Sequence, residues 1–117
     1  MRKVLIVLAL AATMLVGAQA AFAAIATDLS VRYNPTTERF HGKVSSGDSD
    51  CVAGRTVKVF KKTASGPVLQ GSATSTGTGT WRVEVMHASG HYFAVAPRHQ
   101  GMHGLCAAAR SDTVDVM

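Results

Sequence analysis

Thr56-Val57-Lys58-Val59-Phe60 is the stretch that decides the fold. Val57 and Val59 fall on one side while Thr56, Lys58 and Phe60 fall on the other, a period of two that belongs to an extended strand. The same period recurs in both directions. Upstream, Leu29, Val31 and Tyr33 share a face until Asn34-Pro35 interrupts. Phe40, Gly42 and Val44 share the next, with His41 and Lys43 turned the other way. Downstream, Ala64-Ser65-Gly66-Pro67 is a turn into residues 68–75, and Gly77-Thr78-Gly79 is a turn into Trp81, Val83 and Val85. Ser89-Gly90 opens a strand over 91–96 that Pro97 ends, a glycine-rich loop follows over 98–104, and Val114 and Val116 offer a last strand over 113–116. No stretch holds helical spacing. The pattern predicts an all-β chain: a small antiparallel β-sandwich of seven strands.

The core of such a sandwich is thin. Its heavy members are Tyr33, Phe40, Val44, Val57, Val59, Trp81, Val83, Val85, Tyr92 and Val114. A domain this small leans on a covalent staple, and Cys51 and Cys106 are the only two cysteines. In an oxidising compartment they have one intramolecular connectivity, closing a loop worth roughly 4 kcal/mol on the chain-entropy account. Neither sits in the C-x-x-C spacing that lowers a thiol pKa, which disfavours a reactive or metal-binding pair.

The compartment follows from the start of the sequence. Arg2 and Lys3 precede an apolar run over 4–16 and a small-residue segment with A-x-A sites, the pattern of a secretory signal peptide over 1–23. The run is shorter than the ~20 residues that span a bilayer, which argues against an uncut anchor. One β-sandwich domain over 24–117 remains, too short for a second domain or a cofactor fold. Removing Arg2 and Lys3 from the 12 basic residues leaves ten against 7 acids, net +3. Outside the cell that mild excess points to anionic polymers or lipid surfaces rather than nucleic acid.

Phe40-His41-Gly42-Lys43-Val44, the run from Cys51 through Arg55-Thr56-Val57-Lys58-Val59-Phe60, and Gly71 to Gly79-Thr80-Trp81-Arg82-Val83 together resemble a known pattern. It is similar to the transthyretin-like, carboxypeptidase regulatory-like β-sandwich module, over about residues 40–95. The resemblance implies a transthyretin-like or immunoglobulin-like sandwich with a non-enzymatic binding or structural role and an unnamed ligand. The related hydroxyisourate hydrolases end in tyrosine-arginine-glycine-serine, whereas this chain ends Thr113-Val114-Asp115-Val116-Met117, so that chemistry lacks support. The lysine-asparagine crosslink of some adhesins lacks it too, since Asn34 is the only asparagine and precedes a proline.

Three side-chain constellations remain. Lys58, Phe60 and Lys62 share the outward face of one strand and Arg82 is outward on another, a candidate ligand surface for an anionic cell-surface polymer or glycan. Met86-His87 and Met102-His103 repeat a thioether-imidazole pair suited to copper, the alternative reading being a small extracellular metal-binding protein with copper as its cofactor. Asp48 and Asp50 offer two carboxylates for Ca²⁺, short of the six to eight oxygens that ion takes, and read as a solvated turn. A hydrolase is the third reading. No G-x-S-x-G elbow supports it, and no spacing singles out a triad, so no catalytic residue is assigned.

Overall fold

The computed structural model describes residues 23–117, and the expected signal peptide therefore lies outside the described residues apart from Ala23. Eleven strands follow in order: β1 (Thr27–Leu29), β2 (Arg32–Asn34), β3 (Arg39–Ser46), β4 (Thr56–Thr63), β5 (Gly66–Thr74), β6 (Thr80–Glu84), β7 (Gly90–Ala96), β8 (His99–Gly101), β9 (Gly104–Cys106), β10 (Ala109–Arg110) and β11 (Val114–Val116). A single 3-10 turn, Ser49–Cys51, is the only helical element among the described residues. All named strand pairings are antiparallel. No helix among these residues is long and apolar enough to cross a membrane.

The chain is all-β as expected, but eleven strands replace seven. Two of the differences share a cause. β1 and β2 both pair with β3, Leu29 opposite Val44 and Arg32 opposite His41. Between them the Ser30 hydroxyl, rather than its carbonyl, accepts the Lys43 N–H at 3.0 Å. The freed Ser30 carbonyl lies only 1.9 Å from where a Cβ on Gly42 would stand, so Gly42 admits the interruption. β10 and β11 repeat the device against β7. Ser111 Oγ accepts the Ala94 N–H at 2.8 Å while Ser111 N–H donates to the Ala94 carbonyl at 2.9 Å. One residue is extruded there, and the ladder resumes with Val114 opposite Tyr92. The remaining difference is the 98–104 segment, expected as loop, which folds as the β8–β9 hairpin.

Two sheets share one core. The first has β3 paired with β1, β2 and β6, and the second runs β10-β7-β4-β5 with β11 also on β7. Phe40, Val44, Trp81 and Val83 of the first meet Val57, Val59, Tyr92 and Ala94 of the second. Phe40 sits between Tyr33 and Tyr92, with ring centroids 4.7 Å away on each side. Val83 reaches across to Gly71, where an added Cβ would lie 2.7 Å from its methyl. Tyr33, Val85 and Val116 pack against this cluster from its margin.

Cys51 and Cys106 are bonded, fully buried, and 5.5 Å apart at Cα, as the two-cysteine arithmetic predicts. The bond fastens the 3-10 turn after β3 to the end of β9.

Candidate functional site

The four residues expected to form one ligand surface divide between two faces. Val57 and Val59 point into the core, so Lys58, Phe60 and Lys62 stand on the outer side of the β10-β7-β4-β5 sheet. Trp81 and Val83 point into the core from β6, which turns Arg82 to the outer side of the other sheet. Alternation placed each side chain correctly on its strand; which sheet carries the strand was decided by pairing.

On the Lys58 face, Phe60 stacks on Phe93 of the adjacent β7, with centroids 5.5 Å apart and 19° between planes. The Arg110 guanidinium lies 3.9 Å over the Phe93 ring and Lys62 Nζ lies 5.9 Å from it. Phe93 points away from the core yet is only 3% exposed, because the Phe60 ring stacks beside it and the Arg110 guanidinium lies on its face. Sequence reading missed Phe93 and Arg110. The signal was present in the aromatic at the middle of 91–96, but its partner required knowing that β4 and β7 are neighbours.

The Arg82 face is more densely charged. Arg32 on β2 is opposite His41 on β3, and His41 is opposite Arg82 on β6, forming a row across three strands. Arg39 and Lys43 flank it on β3, and all five side chains are exposed. Arg39 and Lys43 are the diagonal neighbours of Arg82 across the β3–β6 pair, roughly 7–8 Å apart, and cations held at that spacing repel. Glu84 is opposite Arg39. Even so, the ion pairs among the described residues all use histidine, and no arginine or lysine has a carboxylate within 4.0 Å. An open cleft of about 550 Å³ runs here, lined in part by Arg39, His41, Arg82, Thr74, Thr80 and Trp81. Trp81 is buried, and its indole N–H has no acceptor among the described residues.

The two methionine-histidine pairs are not brought together. His87 N–H donates to Glu38 Oε2 at 2.7 Å, at the end of β3 where the strand begins. His103 Nδ1 lies 3.1 Å from Asp48 Oδ2, just past the other end. Eight residues of strand, about 25 Å, separate those ends, so no single ion touches both pairs. Met86 and Met102 are exposed.

Instead the structure joins His103 to the carboxylates of the 48–50 turn. His103 Nδ1 is 3.4 Å from Asp50 Oδ2, and the ligand atoms of Asp48, Asp50 and His103 lie within 4.8 Å of one another. Asp50 N–H donates to Asp48 Oδ1 at 2.9 Å and Met102 N–H to Asp50 Oδ2 at 3.2 Å. The Asp50 N–H first, and His103 second, hold the Asp48 carboxyl below its usual pKa. The hydrogen bond to Asp48, reinforced by the charges of both aspartates, raises the His103 imidazole above its own. His91 forms a separate exposed pair with Asp115. No histidine among the described residues hydrogen-bonds a serine, threonine or cysteine side chain.

One buried charge organises this end of the molecule. Arg55 is 0% exposed. Its Nη1 donates to Thr27 Oγ1 at 3.0 Å and to the Cys51 carbonyl at 2.9 Å, while Nη2 donates to the Pro97 and Ala107 carbonyls at 2.9 and 3.0 Å. Burial lowers its pKa from the ordinary arginine value. No carboxylate pairs with it among the described residues. Its role is to tie four backbone segments around the disulfide.

Comparison of the chain with protein-family models, with characterised proteins and with solved structures returned no match.

Proposed function

We propose that this chain is an exported, non-enzymatic extracellular module, a β-sandwich of transthyretin-like or immunoglobulin-like type, that grips an anionic cell-surface polymer or glycan. The contact surface is the outer face of β2, β3 and β6. The observation that carries this reading is the Arg32–His41–Arg82 row, flanked by Arg39 and Lys43 and beside a cleft, with no carboxylate among the described residues within 4.0 Å of its arginines and lysine. Unpaired like charges on adjacent strands weaken a fold, and a polyanion laid across them turns that cost into affinity. The exposed hydroxyls of Thr74, Thr76 and Thr80 in the same cleft suit those of a sugar chain. The leader pattern and the disulfide support the extracellular setting.

Retention on a sulfated polysaccharide matrix tests this. The wild-type protein is expected to bind and to elute with rising salt, because the contact is electrostatic. Arg39→Glu combined with Arg82→Glu is expected to abolish retention, while Lys58→Glu combined with Lys62→Glu, on the opposite face, leaves most of it. Equal losses from the two double variants, or retention insensitive to salt, would refute the assignment.

A further inference from the structure

The turn carrying Asp48 and Asp50 and the hairpin tip carrying His103 are each incomplete as ion sites when taken alone. The fold brings them together. We propose that Asp48, Asp50 and His103 form a binding site for a divalent first-row transition ion of the Zn²⁺ type, distinct from the cationic face. Two carboxylates and one imidazole give an oxygen-rich, borderline donor set, which suits Zn²⁺ or Cu²⁺ better than Cu(I), whose preferred partners are thiolates and thioethers. Three protein ligands leave a coordination position for water or for a group from outside.

The geometry supports an ion rather than a plain histidine-aspartate pair. The candidate ligand atoms of all three residues converge within 4.8 Å, so the imidazole faces two carboxylates and not one. With a neutral imidazole the cluster carries two negative charges, which a divalent ion cancels. The ligands come from segments more than 50 residues apart, yet their relative position is fixed covalently, since Asp50 adjoins Cys51 and His103 lies three residues before Cys106. Gly101 closes the packing between them. A Cβ there would lie 3.3 Å from both Asp50 Cβ and Cys106 Sγ. A site held in this way loses little freedom when the ion enters. His103 is largely exposed, which gives the ion a path in.

Calorimetric titration of Zn²⁺ into chelator-stripped, disulfide-intact protein at constant pH is the test. A one-to-one step with a dissociation constant of about 10 μM or tighter is expected. Asp48→Asn keeps the oxygen that accepts the Asp50 N–H and removes the charge, and His103→Gln changes an exposed side chain; both are expected to fold and to weaken binding about tenfold or more. His87→Gln, at the far end of β3, is expected to change nothing. Circular dichroism and melting confirm that each variant is folded. A wild-type constant weaker than about 100 μM, or folded Asp48→Asn and His103→Gln proteins that bind as the wild type does, overturns the proposal.

Discussion

Replacing Arg55 with methionine keeps a stem of similar length and deletes the guanidinium. Four hydrogen bonds disappear, and the Cys51, Pro97 and Ala107 carbonyls lose a donor near the disulfide. Hydrogen bonds to a charged group are worth about 1.5–3 kcal/mol each, so the gross loss is about 6 kcal/mol at the lower end. Releasing a buried cation from its desolvation cost returns several kcal/mol of this. A net destabilisation of about 3 kcal/mol is expected, or a fall in Tm of about 12 °C or more for a domain of this size. Arg55→Lys separates charge from geometry. One ammonium cannot reproduce the fork that serves Thr27 and Cys51 on one side and Pro97 and Ala107 on the other, so lysine is expected to recover less than half of the loss. Urea unfolding with the disulfide intact measures all three proteins. The reasoning fails if Arg55→Met unfolds within about 1 kcal/mol of wild type, or if Arg55→Lys matches it.

Three further outcomes follow from the same geometry. Replacing Cys51 and Cys106 by alanine is expected to lower unfolding free energy by about 4 kcal/mol through the loop they close, measured by denaturant titration. Gly79 has φ +90° and would place a Cβ 2.3 Å from the Val44 carbonyl oxygen, so Gly79→Ala is expected to cost about 2 kcal/mol or more, whereas Gly47→Ala, with open space around it, leaves the melting curve in place. In chelator, the stability difference between wild type and His103→Gln is expected to peak between about pH 4 and 6.5. The raised His103 pKa means its contribution is present below the ordinary imidazole value and lost as pH rises through the folded-state value. The depressed Asp48 pKa means its contribution is present above the ordinary carboxylate value and lost as pH falls through the folded-state value. Melting curves across pH check this, and a difference unchanged up to pH 9 would contradict it.

The legible part of the fold is the part written in nearest neighbours. Val57 and Val59 against Lys58, or Trp81 and Val83 against Arg82, fix the two sides of each strand by alternation alone, and these side assignments are the ones the structure reproduces. Strand interruption was less legible. Ser30 and Ser111 each put a hydroxyl into the ladder where a carbonyl would stand, and nothing in a serine's sequence neighbourhood distinguishes this from an ordinary outward residue. Arg55 stood in the sequence only as part of the run that carries the family resemblance, since its burial depends on four acceptors that lie 4 to 52 residues away.

The sequence by itself determined that the chain is all-β and, through the two-cysteine arithmetic, which sulfurs join. It could do so because strand faces are set by a local two-residue period and because two cysteines have one pairing. Tertiary structure alone decided which faces the charges share. Lys58 and Arg82 part company because β4 and β6 belong to different sheets, while Asp48, Asp50 and His103 meet because β8 and β9 fold back beside the 3-10 turn. A functional surface is made of residues adjacent in space, and that adjacency is set by how strands pair across long separations.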